Sequence, residues 1–201
     1  YLFGTTAYNG SYACEQTYKT SASATTSTAY HLPGKLKSVT VTGGEILDGA
    51  FQSCLRLQEI QLPAGIKKLG ARAFSDCNNL QEIEIPESVT HIGSSAFDHC
   101  ISLKEIHIPY GVIEVGAAAF KECTSLKEIV IPDSVLRIGS GVFGCCINLE
   151  SITVPFIGSN RIVSDGNFQF PLGYFFLDAI CLDHGYPNTT QTYYVAGTTT
   201  K

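Results

Sequence analysis

IGSSAFDHCISLKEIHIP, residues 92–109, is the stretch on which the fold turns. Alone it offers Cys100 beside His99, with a second histidine at His107. That combination raises chemistry: a metal ligand set, or a thiol with its base. The neighbouring stretches change the question. Residues 69–86 read LGARAFSDCNNLQEIEIP, and residues 115–132 read VGAAAFKECTSLKEIVIP. The same apolar positions return every 23 residues.

Phe51, Phe74, Phe97, Phe120 and Phe143 form one column, and Cys54, Cys77, Cys100, Cys123 and Cys146 another. Leucines recur from Leu57 to Leu149, isoleucines from Ile60 to Ile152 and prolines from Pro63 to Pro155, all in phase. Gly70, Gly93, Gly116 and Gly139 add a glycine column. One such unit has too few apolar residues to bury a core, and stacked units share one, so the period predicts a solenoid. Within the unit, L-x-x-I-x-I alternates as a short strand with one buried face. Proline ends that strand because it has no N–H for a ladder. V-x-x-I-G predicts a second extended piece closed by a glycine turn. A-F-x-x-C-x-x-L spaces its apolar residues as one helical turn does.

The full pattern, I-G-x-x-A-F-x-x-C-x-x-L-x-x-I-x-I-P, resembles the BspA-like, bacterial-surface type of leucine-rich repeat, from Leu36 to Pro155. The resemblance implies a leucine-rich-repeat solenoid of 23-residue repeats, built from short strands and short helical turns. It also implies adhesion to host proteins or other cells. The first unit departs from the pattern. Thr42, Gly43 and Gly44 replace its proline turn, and Leu47 stands where later units have glycine.

Three segments are therefore expected: 1–35 as an N-terminal spacer or cap, 36–155 as the solenoid and 156–201 as a C-terminal spacer or cap. The flanks are rich in aromatics and are expected to be β or irregular. They echo each other, Tyr174-Phe175-Phe176 against Tyr1-Leu2-Phe3, with Cys14 and Cys181 between the landmarks. They are either recurring spacer modules or covers for the apolar ends of the stack, and both readings stand together.

Composition narrows the function. Net charge is −5 and charged residues are 15% of the chain, which lacks the basic face of a nucleic-acid binder. No apolar run approaches the ~20 residues of a membrane span, so no membrane insertion is expected. A catalytic cysteine is singular, whereas five at one structural position are expected to be core thiols. Cys145 is expected to point outward rather than bridge to Cys146. His31, His91, His99, His107 and His184 do not share the period, and no set repeats a zinc spacing. Cys181-Leu182-Asp183-His184 is the one compact alternative and falls short of a ligand set; a bond between Cys14 and Cys181 is a further option. Asn9 and Asn188 begin glycosylation sequons, which matter only in a eukaryotic secretory protein. No phosphate loop or nucleophile elbow is present, so no catalytic residue, metal or cofactor is expected.

What remains is the strand face. Between buried columns each strand exposes two side chains: Glu59 and Gln61, Glu82 and Glu84, Glu105 and His107, then Glu128 and Val130. Glu59, Glu82, Glu105 and Glu128 form a ladder of like charges, with Lys104 and Lys127 placed to offset part of it. Glu59, Gln61, Glu82, Glu84, Glu105, His107 and Glu128 are the candidate binding residues, for a protein or glycan partner. The expected function is a non-enzymatic adhesion module at an extracellular or cell-surface location. A structural spacer in a repetitive surface protein is the alternative, and a thiol hydrolase a more distant one.

Overall fold

The structure, a computed structural model, describes residues 12–19, 27–160 and 172–176. The side chains of Cys14 and His31 lie outside the described residues, as do Cys181, Asp183, His184, Asn9 and Asn188 and most of both echoing flanks. Strands β1 (Tyr12–Lys19) and β2 (Ser27–Pro33) form an antiparallel hairpin. Eight short strands follow: β3 (Ser38–Thr40), β4 (Glu59–Gln61), β5 (Lys68–Leu69), β6 (His91–Ile92), β7 (Glu114–Val115), β8 (Glu128–Val130), β9 (Arg137–Ile138) and β10 (Ser151–Thr153). Each coil of the resulting solenoid has three sides.

The first side is a continuous parallel sheet in the order β5-β6-β7-β9, extended by an Ile46–Leu69 bridge. Leu69, Ile92, Val115 and Ile138 point into the core, while Lys68, His91, Glu114 and Arg137 alternate outward. Glycine follows each of these strands because the coils approach too closely for a side chain. A Cβ on Gly116 would stand 2.4 Å from the Ser94 nitrogen, and one on Gly139 would stand 2.1 Å from the Ala117 nitrogen. Close approach, not a left-handed backbone, fixes this column.

The second side is the A-F-x-x-C-x-x-L stretch. The helical turn expected there is a chain of tight turns, with Ala73 N–H donating to Gly70, Cys77 to Phe74 and Leu80 to Cys77 at 3.0–3.2 Å. Between them lie two left-handed residues per coil, such as Arg72 and Asp76 (φ 54° and 61°) or Ser95 and His99 (φ 54° and 59°). These reversals aim alternate N–H groups at the next coil. Phe74 N–H donates to Ala96 and Phe97 N–H to Ala119, both at 2.8 Å, in a ladder that runs the length of the stack.

Inside, the phenylalanines stack at 5.4, 5.3, 5.6 and 6.2 Å between ring centroids from Phe51 to Phe143, nearly parallel in the first three steps. Each is 0–1% exposed, and burying a side chain of this size contributes roughly 1.5–3 kcal/mol. The cysteine column lies beside them. Cys77, Cys100, Cys123 and Cys146 donate their thiols to the carbonyls of Phe51, Phe74, Phe97 and Phe120 at 3.0–3.2 Å. Asn79, Ser125 and Asn148 bond the preceding coil's carbonyls, at Leu55, Ile101 and Thr124.

At the C-terminal end a 3₁₀ helix, Leu172–Phe176, closes the stack. Phe143 N–H donates to the Phe175 carbonyl at 2.8 Å, a step of 32 residues where Phe120 reaches Val142 in 22. The helix thus takes the place of the next coil's turn, with ten residues inserted ahead of it. Phe175 is fully buried and meets Phe143 edge-on at 6.2 Å.

Candidate binding groove on the strand face

The third side carries the candidate residues, and it is built differently from the other two. β3 pairs with β4, and β8 pairs with β10, both parallel. The two coils between them, residues 82–84 and 105–107, form no strand. A single backbone hydrogen bond, Lys104 N–H to the Gln81 carbonyl at 3.0 Å, joins those two coils on this side. Among the described residues, no ladder bond reaches the N–H or C=O groups of 82–85 or 105–108.

The side chains account for where the ladder closes. In the closed rungs Glu59 sits beside Ser38, and Gln61 beside Thr40, whose hydroxyl donates to the Gln61 amide oxygen at 3.2 Å. At the other end Glu128 sits beside Ser151, and Val130 beside Thr153. Where the ladder is open, glutamate follows glutamate: Glu59, Glu82, Glu105, Glu128. Like charges directly opposite each other weaken strand pairing, whereas Ser and Thr neighbours support it. Lys104 and Lys127 do not relieve the row. Lys104 reaches the Gln81 amide oxygen at 3.4 Å and Lys127 the Glu150 carboxylate at 4.0 Å.

A groove of about 800 Å³ runs along this face. All of Glu59, Gln61, Glu82, Glu84, Glu105, His107 and Glu128 line it, with the outer edges of the core columns, Val39 to Ile129, as its floor. Each of the seven side chains is exposed. Sequence reasoning thus brought one set of residues to one surface, but the short strand expected in every unit is missing at 82–84 and 105–107.

The alternative chemistry separates into two places. Cys54, Cys77, Cys100, Cys123 and Cys146 are buried free thiols. Burial pushes the Cys100 and Cys123 thiols up and holds Cys146 at about 12. Cys77 is raised well above the usual value by its hydrogen bond with Cys54 and then by burial. A nucleophilic cysteine needs the opposite shift. His99 lies on the turn side, where its Nε2 contacts Glu122 at 2.7 Å and its Nδ1 contacts Asp98 at 3.0 Å. Burial raises the Asp98 carboxyl, and the charge of His99 offsets part of that shift. This cluster clasps adjacent coils through two left-handed positions, His99 and Glu122.

Cys145 corrects one expectation. It does not point outward: it is 9% exposed and disulfide-bonded, with its partner outside the described residues. Its left-handed φ of 56° turns it off the path of Cys146, which stays in the core as a free thiol. The period sets Cys145 apart from Cys146, but no sequence signal marked it as bonded, because it falls in a column held by Ser53, Asp76, His99 and Glu122.

Comparison with known proteins places this geometry. The profile of the BspA-type leucine-rich repeat region matches residues 44–169 in six copies. Among solved structures, a leucine-rich repeat protein of T. pallidum is 28% identical, with a TM-score of 0.56, over 61% of this chain and 71% of that one. A leucine-rich repeat protein of Bacteroides ovatus is 32% identical, with a TM-score of 0.57, over 74% of this chain and 42% of that one. A leucine-rich cell surface protein of Faecalibacterium prausnitzii is 35% identical, with a TM-score of 0.56, over 59% of this chain and 32% of that one. This chain thus spans less than half of the latter two. A search of curated proteins finds no match.

Proposed function

The chain belongs to the BspA-type leucine-rich repeat family, and from that premise we propose that it is a non-enzymatic binding module at the cell surface, recognising a host protein or another surface partner through its strand face. The observation that carries this reading is the groove, which gathers every candidate residue on one open side of an otherwise closed stack. An extended surface made of repeated rungs suits recognition of a macromolecule. The surface location is supported by the F. prausnitzii cell surface protein and by the disulfide at Cys145, since disulfides persist in oxidising compartments. The thiols support the non-enzymatic reading because they are buried and held protonated.

The test is adhesion of the purified protein to immobilised host matrix proteins, glycans and whole cells. Replacing Glu82, Glu84, Glu105 and His107 with alanine is expected to abolish capture while the fold survives, because all four are exposed. Failure of the wild-type protein across the whole panel overturns the reading. Unchanged adhesion by the quadruple variant favours the second reading, a structural spacer. Two continuous hydrogen-bond ladders that stiffen the stack support that alternative.

A further inference from the structure

The groove's lining says what its occupant is made of, on the reading that the strand face is the binding surface. Glu59, Glu82, Glu84, Glu105 and Glu128 line it together with His107, and no lysine or arginine does. The nearest lysines, Lys104 and Lys127, are directed to Gln81 and Glu150. The carboxylates are strung along the stack, with neighbouring coils 5.3–5.6 Å apart at the central phenylalanines. Among the described residues no three such groups converge as metal ligands. The charge therefore matches a chain carrying several cations, not a single ion. The floor adds apolar edges from Ile60, Ile83 and Ile106, and the backbone groups of 82–85 and 105–108 are outside any ladder.

We propose that the groove takes an extended segment of a partner protein bearing lysine or arginine at about every third residue. A segment in the extended polyproline II form has three residues per turn and rises ~3.1 Å per residue, so every third side chain returns to the same face after ~9 Å, near two coil spacings. Each basic side chain then faces every second glutamate of the row. The open rungs have a part in this. Repulsion between the glutamates holds the central coils out of the ladder, and cations laid across them remove that repulsion. Binding and closure of the rungs are coupled: each favours the other by the same factor.

The probe is a synthetic peptide of repeated Lys-Ser-Gly, with Glu-Ser-Gly repeats as its control, titrated into the intact chain at low and high salt. The lysine peptide is expected to bind at low salt, to weaken as salt rises and to slow amide exchange at 82–85 and 105–108. Glu82→Gln with Glu105→Gln is expected to weaken it about tenfold, whereas Glu45→Gln with Glu87→Gln, off the groove, leaves it unchanged. Absence of binding by the lysine peptide overturns the proposal. So does equal weakening by both variant pairs, which would mean attraction to net charge alone. If a surface partner is lost with the alanine variant but retained with the glutamine pair, the strand face still binds and this inference alone falls.

Discussion

The sheet side and the strand face are made from the same repeat, yet one closes rung by rung and the other opens in its middle. On the sheet side the outward residues are Lys68, His91, Glu114 and Arg137, and Arg137 forms an ion pair with Glu114 of the preceding coil. On the strand face the outward residues are glutamates in succession, and their central coils form no strand pairing. The difference teaches that the buried columns set the path of the chain, while the exposed column decides whether the backbone ladder forms. A repeat protein can thus keep one core and vary the state of one face through side chains that touch no core atom.

The largest effect is expected from breaking what both sides share. Phe97→Ala empties the centre of the ring stack and is expected to cost about 3–5 kcal/mol, read from the urea midpoint. On the closed side, Gly116→Ala drives a Cβ into the Ser94 backbone and is expected to cost about 3 kcal/mol. Gly65→Ala meets nothing within 4 Å and is expected to shift the midpoint by less than about 1 kcal/mol. Equal effects at the two glycines would mean that the coils are not held in close approach.

The thiol column gives a pH test of intermediate size. Burial raises Cys146 from the ordinary value of 9.0 to about 12 in the folded chain, and raises Cys100 and Cys123 as well. A raised folded value means the unfolded thiol gives up its proton first. Stability is full below pH 9 and falls as pH climbs toward 12, by about 1.4 kcal/mol per unit for each such thiol. Urea midpoints followed upward from neutral pH are expected to decline in this window. A flat profile would place these cysteines in contact with water.

The core of this molecule was legible because it is repetitive. Phe51 to Phe143 and Cys54 to Cys146 are legible as buried from the sequence, since an apolar residue that returns at one position in every coil marks the shared interior. The groove residues were legible too, as the positions alternating with Ile60 to Ile129. Three features were not, or not fully. One left-handed column carries Arg72, Ser95 and Ala118 and shows glycine only at its ends, Gly49 and Gly141, while the other, Ser53, Asp76, His99, Glu122 and Cys145, shows none. The turn at Leu172–Phe176 is displaced by ten residues, which takes Phe175 out of the periodic columns. The open rungs were legible only in part: the glutamate column shows its like charges, but not that they outweigh strand pairing at 82–84 and 105–107.

The smallest expected effect bears on the open face. Glu82→Gln with Glu105→Gln removes every glutamate-on-glutamate neighbour in the row and is expected to stabilise the chain by about 0.5–1 kcal/mol. The same pair of substitutions gives the most direct test when amide hydrogen exchange is read residue by residue. In the native chain the amides of 82–85 and 105–108 are expected to exchange faster than those of Ile92 and Val115 in the closed sheet. In the double variant those slow to the rate of the closed rungs. Protection that is uniform across both faces in the native chain, or exchange that the substitutions leave unchanged, would contradict an opening driven by the glutamate row.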